Sequence, residues 1–463
     1  MTDFGKIKGF YFVGIGGIGM SAIALYFIKG GFYVAGYDRC ESKITESLAS
    51  KGCNISFNDN TDSLPELFVN HVEKNNVIVV YTPAIPSESK ILSFFREEGY
   101  AIMKRSEILG LISANTKTLA IAGSHGKTTV STMTAHIFKQ SKIDCSAFLG
   151  GISKNYESNL LLGNSNFTVI EADEFDRSFH RLAPTMAAVT SLDADHLDVY
   201  GDRKTMVEAY NIFCSKIRKD GKLVVNKKIR SEIIVPDGVT CYTYGTENGS
   251  DFYTHNIRHC PDGYRFNIKT PWNVTEDIFF PFPGIINIEN FTVASAIALL
   301  CGVEEDEIIK AAMLFSGVRR RFDIRADIGG ITYVDDYAHH PEEIRAFIKS
   351  VKEYFKGRKI TGIFQPHLFT RTRDNADGFA AILDELDETI LLPVYPAREE
   401  PIEGVSSEMI FRRMQSVNKK LMEKEDLVNA LDVNNLDVLL TMGAGDIDKL
   451  VEPVEEKIRK AKG

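Results

Sequence analysis

Apolar residues along this chain come in short runs, and most runs end at glycine or at acid. From Phe10 to Ile28 no residue is charged, a run as long as a membrane span. Four glycines, Gly14, Gly16, Gly17 and Gly19, break it. It therefore reads as a buried strand over residues 8–13, a turn, and a helix over residues 20–29 closed by Gly30-Gly31. A signal peptide is not expected, because Gly30-Gly31-Phe32 makes a poor cleavage site. Further strands are expected over 33–37, ending at Asp38, and over 77–81, ending at Thr82-Pro83. Strands alternating with helices imply a doubly wound parallel sheet.

The same rhythm recurs twice. A strand over 118–122 leads into a glycine-rich turn and a helix from Lys127. Strands over 167–170 and 187–192 each end in acid, before Glu171-Ala172-Asp173-Glu174 and before Asp193-Ala194-Asp195-His196. Residues 221–282 show short alternating strands, and a helix is expected over 290–300. Strands over 331–334, 360–364, 389–392 and 438–441 follow, the last running into Gly443-Ala444-Gly445. The expectation is an α/β protein in three parts, residues 1–110, 111–316 and 317–463, each built on a mainly parallel sheet.

Composition narrows the function classes. The 463 residues are 44% hydrophobic and 25% charged, ordinary for a globular protein. Net charge is 54 − 63 = −9, which disfavours a nucleic-acid-coating role. Seven scattered cysteines, none spaced as Cys-x-x-Cys, read as reduced thiols of a cytoplasmic protein. His255, His259 and Cys260 offer three ligands where structural zinc takes four. Their stretch reads instead as a β-hairpin turning at Pro261-Asp262-Gly263.

Two glycine motifs carry chemistry. Gly14-Ile15-Gly16-Gly17-Ile18-Gly19 fits G-x-G-x-x-G between strand and helix, where backbone N–H groups and the helix start meet a diphosphate. Asp38 stands where a ribose-binding acid would, so alone the motif points to NAD or another diphosphate. Gly123-Ser124-His125-Gly126-Lys127-Thr128-Thr129 is a shortened phosphate-binding loop, with Ile121 where the strict pattern has glycine. Lys127 would reach the β/γ oxygens and Thr128 would ligate Mg²⁺. Hard oxygen ligands are available from Glu171 and from the Asp193, Asp195 and His196 group. Asp335-Asp336-Tyr337-Ala338-His339-His340-Pro341 precedes a helix starting at Pro341 and looks like a substrate-facing loop. Arg319-Arg320-Arg321 offers phosphate contacts or a solvated surface, and the loop from Gln365 to Asp374 offers an arginine clamp for a carboxylate.

Taken in order, GIGGIGMS, GSHGKTT, EADE, DADHLD, RRF, DDYAHHP, FQPHLFTRTRD, VYPAREEPI and GAGD resemble the Mur ligases across almost the whole chain. GIGGIGMS with FQPHLFTRTRD is similar to the members that add alanine. The resemblance implies an N-terminal Rossmann-like domain for a UDP sugar, a central P-loop domain for ATP, and a C-terminal Rossmann-like domain that closes and admits the amino acid. The implied reaction joins L-alanine to the lactyl carboxylate of UDP-N-acetylmuramate through an acyl phosphate, with ATP and Mg²⁺. Gly14 to Gly19, with Asp38, Thr82 and Arg105, would then hold the UDP sugar rather than NAD. The loop Gly123 to Thr129, Asn287 and Arg321 would hold ATP, and Thr128, Glu171 and His196 the metal. Lys127, Arg321, His339 and Arg371 would carry catalysis.

Three positions depart from the family pattern: Ser124 for threonine, Ile286 for histidine, and Leu368 for arginine. The last leaves the alanine carboxylate to Arg371 or Arg373. The alternatives are a murein tripeptide recycling ligase, a nicotinamide-dependent oxidoreductase and a nucleotide-binding regulatory module without catalysis. No membrane or nucleic-acid partner is expected, and the protein would be a monomer or homodimer.

Overall fold

A computed structural model describes residues 6–69, 74–82, 84–86, 88–193, 200–397 and 399–462. The chain is α/β and divides into two compact units, Met1–Pro281 with Glu289–Ser316, and Phe282–Ile288 with Gly317–Gly463.

The first unit holds two sheets. Strands β1 (Gly9–Val13), β2 (Tyr33–Tyr37), β3 (Asn54–Ser56), β4 (Val77–Tyr81) and β5 (Ala101–Lys104) form a parallel sheet in the order β3-β2-β1-β4-β5. Its strand order reverses between β1 and β4, where open α/β sheets bind ligands at the carboxyl ends of strands. The uncharged run from Phe10 is the strand β1, a turn, and a helix that starts at Ile18, two residues earlier than its pattern predicts. No described helix is long and apolar enough to cross a membrane.

The second sheet comprises β6 (Lys117–Ala122), β7 (Ser146–Ser153), β8 (Ser158–Leu161), β9 (Phe167–Glu171), β10 (Met186–Val189), β11 (Lys222–Asn226), β12 (Thr240–Gly245), β13 (Phe252–Cys260), β14 (Gly263–Lys269) and β15 (Val274–Phe280). Their order is β15-β14-β13-β12-β11-β10-β6-β9-β7-β8. It is parallel from β13 to β7 and antiparallel at both edges. The hairpin containing His255, His259 and Cys260 forms as β13 and β14, with Cys260 paired to Gly263. β10 stops at Val189, short of the expected 192. Just beyond it the Thr190 N–H still donates to the Ala122 carbonyl at 2.9 Å, and the Thr190 hydroxyl lies 3.2 Å from that carbonyl and 2.5 Å from that of His125. The helix expected from Asn290 begins earlier, at Ile285.

One hydrophobic cluster runs through both sheets of this unit, from Phe10, Phe12 and Phe27 through Ile108 and Ile112 to Ala120, Ile170 and Phe179. The helix Arg105–Ala114 joins them, burying Ile108, Leu109 and Ile112 in that cluster. At Gly110 a Cβ would sit 2.6 Å from the Arg181 carbonyl oxygen, so this helix approaches as only glycine allows.

The second unit carries β16 (Asp323–Ile328), β17 (Ile331–Asp336), β18 (Ile360–Phe364), β19 (Glu388–Leu391), β20 (Lys419–Leu421) and β21 (Val438–Met442), in the order β16-β17-β21-β18-β19-β20. Only β16 runs antiparallel. The DDYAHHP, QPHLF and GAGD segments all leave the carboxyl ends of the adjacent strands β17, β18 and β21.

Candidate active site

In the first sheet the segments after β1, β2, β4 and β5 converge. Gly14 has φ +89°, and a Cβ there would lie 3.1 Å from Thr82 Cγ2. A Cβ on Gly19 would meet an Arg105 guanidinium nitrogen at 2.8 Å. Thr82 and Arg105 therefore flank the two ends of the glycine turn, with Ile15 and Ile18 between them. Asp38 plays a part its position does not reveal. Its Oδ2 accepts the Gly16 N–H at 2.7 Å, so the carboxylate braces the turn itself. Gly17 is the N-cap of the helix Ile18–Lys29, whose start presents partial positive charge.

The phosphate-loop sequence folds as its residues dictate. β6 ends at Ala122, Gly123 takes φ +140° and Gly126 φ +82°, and the helix Lys127–Gln140 begins at once. The loop is pinned from the neighbouring strand end: Ser124 Oγ donates to the Asp193 carbonyl at 2.7 Å, and His125 N–H to Ser191 Oγ at 2.8 Å. Thr128 and Thr129 are buried in the first helical turn. Lys127 Nζ donates to the carbonyls of Gly123 (2.7 Å) and Ser124 (3.2 Å) and to Glu174 Oε1 (2.7 Å). Burial would lower the pKa of this ammonium, but Glu174, aided by Asp173 and Glu171, overrides that and holds it above the ordinary lysine value. The cation is thus fixed.

Thr128 Oγ1 donates to Glu171 Oε1 at 2.9 Å, and Glu171 Oε2 accepts the Gly150 N–H at 2.9 Å. This hydroxyl and carboxylate are hard oxygen donors of the kind Mg²⁺ takes, so the pair fits the ion. His196, expected as a third ligand, lies outside the described residues, as does Asp195. Among the described residues no group of three or more His, Cys, Asp or Glu is placed to hold a metal.

The acidic segment after β9 reaches both loops. Glu171 meets Thr128, Glu174 meets Lys127, and Asp173 Oδ2 accepts from Arg105 at 3.3 Å. Three of these four consecutive residues thereby touch the phosphate loop or the arginine beside the first glycine turn.

In the second unit the DDYAHHP loop is held by its acids. Asp335 pairs with Arg320 at 3.1 Å and accepts from Thr441 Oγ1 at 2.7 Å, while Arg320 also donates to the Gly443 carbonyl at 2.5 Å. Arg320 is therefore structural and not a solvated surface residue. Asp336 accepts the N–H groups of Phe322 (2.7 Å) and Ala338 (2.8 Å). Burial pushes its carboxyl up to about 6, with the nearby Arg321 opposing the shift. A raised folded-state pKa gives stability that is complete below the unfolded value and is lost as pH rises through 6. Wild-type protein is expected to lose roughly 2–3 kcal/mol of its advantage over Asp336→Ala between pH 4 and pH 7, read from denaturant unfolding of both proteins across that range. A constant difference would contradict the burial of an Asp336 that is protonated in acid.

Pro341 opens the helix Pro341–Tyr354, capped by His340, and the Glu343 carboxylate accepts the backbone N–H groups of His339 (3.0 Å) and His340 (3.3 Å). That cap sets the His339 ring, whose Nδ1 lies 3.1 Å from Glu343 Oε2. The rings of His339 and His367 meet at 5.8 Å, and Arg371 Nη1 is 3.3 Å from His367 Nδ1. Arg321 lies over the Tyr337 ring at 5.1 Å, and Tyr337 contacts His339 edge-on at 5.2 Å. Arg321, Tyr337, His339, His367 and Arg371 thus form one contiguous row.

Leu368 caps the next helix, Phe369–Leu383, at φ +69°, in the left-handed region that leucine rarely adopts. Its N–H donates to the Tyr395 carbonyl at 2.9 Å. Arg373 pairs with its neighbour Asp374 at 2.7 Å, so of the two arginines it is Arg371 that joins the row.

Family models match three stretches of the chain. The Mur ligase family catalytic domain matches residues 9–117, the Mur ligase middle domain residues 121–298, and the Mur ligase glutamate ligase domain residues 320–445. A UDP-N-acetylmuramate–L-alanine ligase from Parabacteroides distasonis is 49% identical over 459 residues, 99% of each chain. The chain belongs to the Mur ligase family. Another protein of that description, from Phocaeicola vulgatus, is 44% identical over 98% of each chain. The crystal structure of the UDP-N-acetylmuramate-alanine ligase of Thermotoga maritima superposes with a TM-score of 0.83 at 26% identity, covering 98% of this chain and 100% of that one. A murein peptide ligase from Psychrobacter arcticus shares the fold, with a TM-score of 0.70 at 20% identity over 97% and 98% of the two chains.

In this Mur ligase the sequence motifs miss Asn290, Thr190 and Glu174 beside the phosphate loop and, in the second unit, Tyr395 beside His367. Asn290 Oδ1 lies 3.0 Å from a Cβ built on Gly126. Asn287, which the sequence does single out, stands three residues earlier on the helix Ile285–Leu300, is buried and donates to the Pro283 carbonyl at 2.6 Å. Thr190 would be only 1.9 Å from a Cβ on Gly123. Glu174 and Tyr395, which stacks on His367 at 5.8 Å, complete the set. Asn290, Thr190, Glu174 and Tyr395 have no local signal, because each acts through a residue remote in sequence.

Proposed function

We propose that the chain joins L-alanine to UDP-N-acetylmuramate with hydrolysis of ATP to ADP and phosphate. One observation carries this reading beyond family membership. The segment Glu171–Glu174 touches both the phosphate loop and Arg105 beside the first glycine turn. Two anion-accepting helix starts joined in this way suit two nucleotide substrates whose reacting ends must meet, not a single dinucleotide.

The lactyl carboxylate attacks the γ-phosphate, the bond to the β–γ bridging oxygen breaks, and ADP leaves with that electron pair. The alanine amine then attacks the acyl carbon, and phosphate departs as the amide forms. A carboxylate is a poor electrophile, and its phosphorylation supplies the leaving group. Lys127 would neutralise the phosphate oxygens, and Thr128 and Glu171 would hold Mg²⁺. When bound, the ion would neutralise charge on the β- and γ-oxygens. Gly14 to Gly19, Thr82 and Arg105 would take the UDP diphosphate, with Asp38 bracing the turn. Asn287 would serve the adenine and Arg321 the phosphates. His339 and Arg371 would face the alanine, His339 as the candidate base. The seven cysteines are free thiols, in keeping with a reducing compartment, which supports a cytoplasmic reaction.

The deciding experiment incubates the protein with Mg²⁺-ATP, UDP-N-acetylmuramate and either L-alanine or murein tripeptide, reading ADP and the new amide. ADP release with L-alanine supports the reading, and release with tripeptide alone overturns it. His367→Ala is expected to raise the KM for L-alanine about tenfold with little change in the KM for ATP, since it frees Arg371 from its ring partner. Steady-state kinetics with each substrate varied would check this, and an unchanged alanine KM would remove His367 from the account.

A further inference from the structure

Resting on the ATP-ligase reading, one feature of the phosphate loop goes further. An ammonium has three N–H donors. All three on Lys127 are engaged, by the Gly123 carbonyl, the Ser124 carbonyl and Glu174 Oε1. The pair is deep: the Lys127 side chain is 13% exposed and that of Glu174 is 3% exposed. A phosphate oxygen can therefore reach Lys127 only by displacing one of three acceptors. The two carbonyls belong to the loop backbone, which Ser191, Thr190 and the Asp193 carbonyl fix. The Glu174 backbone is fixed as well, since its carbonyl accepts from Tyr200 Oη at 2.6 Å and from the Arg177 N–H at 2.9 Å. Of the three acceptors, only the Glu174 carboxylate is carried on a side chain and not on the loop backbone. Exchanging that carboxylate for a phosphate keeps a buried cation paired with an anion throughout, so no step leaves Lys127 uncompensated.

We propose that Glu174 is a displaceable counter-ion of Lys127, which yields the ammonium to the phosphates of an incoming nucleotide and reclaims it as ADP and phosphate leave. Glu174 thereby weakens ground-state nucleotide binding and speeds product release. It positions Lys127 and never touches substrate. Asp173, the adjacent acid, does not share the task, because its carboxylate is paired with Arg105.

The test measures ADP and non-hydrolysable ATP analogue binding by calorimetry, with Mg²⁺, on the full chain. Glu174→Gln keeps shape and removes the competing anion, so the Kd for ADP should fall roughly fivefold or more, as expected when a population tax on the binding-competent state is lifted. In turnover, kcat and the KM for ATP should fall together, which a merely structural lesion would not produce. Glu174→Asp retains charge but withdraws it by one methylene, and should tighten ADP binding to a lesser degree. It also decides the matter if the glutamine protein does not fold. Asp173→Asn removes equal charge one residue away and should change ADP affinity less than twofold. Weaker or unchanged ADP binding in the Glu174 variants overturns the proposal, as does equal tightening in Asp173→Asn. Wild-type protein that binds neither ADP nor the analogue would instead overturn the ATP-ligase reading itself.

Discussion

Lys127→Ala is expected to lower turnover roughly 10²–10³-fold or more while leaving the fold in place. The lysine is the cation that Glu174 delivers to phosphate, and it sits at the first turn of the helix Lys127–Gln140, inside the glycine loop. Its charge is useful only where phosphate charge accumulates, so the loss should fall mainly on the chemical step. ADP release with saturating ATP, UDP-N-acetylmuramate and L-alanine measures it, with circular dichroism as the check on folding. The substitution also removes the cation paired with buried Glu174, which costs stability. The unfolding midpoint should therefore drop, and the double variant Lys127→Ala, Glu174→Gln should recover part of it. Retained turnover in the single variant would remove Lys127 from the mechanism.

Gly123→Ala is expected to be the most damaging single-methyl change in the first unit. Gly123 has φ +140°, which side-chain-bearing residues rarely adopt, and the added Cβ would lie 1.9 Å from Thr190 Oγ1 and 2.9 Å from the Ser191 nitrogen. Thr190 cannot simply turn aside, because its hydroxyl bridges the Ala122 and His125 carbonyls. Backbone strain and overlap together cost about 2–5 kcal/mol. Thermal unfolding should show the loss, and protection by ADP should vanish with it. Adding Thr190→Ala should restore part of the stability by removing the overlap with the hydroxyl, leaving the strain and the backbone contact at Ser191. A Gly123→Ala protein as stable as wild type would contradict the loop geometry.

Much of this molecule is legible in the chain. The split of the uncharged run at Gly14 to Gly19 is real, as are the hairpin at Cys260 and Gly263 and the helix from Pro341. Each rests on local physics: alternation of period two, a glycine at positive φ, a proline at a helix start. Errors arise where a tertiary contact decides. β10 ends three residues short because beyond Val189 the backbone meets the phosphate loop, where the Ser191 carbonyl accepts the Ser124 N–H at 3.2 Å. Arg320 looks like part of a solvated basic run until Asp335 and Gly443 are brought beside it.

The motifs by themselves determine which residue types are offered to phosphate, to a divalent cation and to a carboxylate. They do so because glycine turns, helix starts and charged side chains express their chemistry within a few residues. Which of those residues meet is settled by strand order. Placing β9 beside β6 sets Glu174 against Lys127, 47 residues away, and Thr128 against Glu171, 43 residues away. The sheet-joining helix Arg105–Ala114 sets Arg105 against Asp173, 68 residues away. In the second unit, β21 inserts between β17 and β18, and the loops leaving those strands bring His367 and Arg371 to His339. Side-chain pairing across such separations depends on how whole sheets stack and twist, and no local period in the chain encodes it.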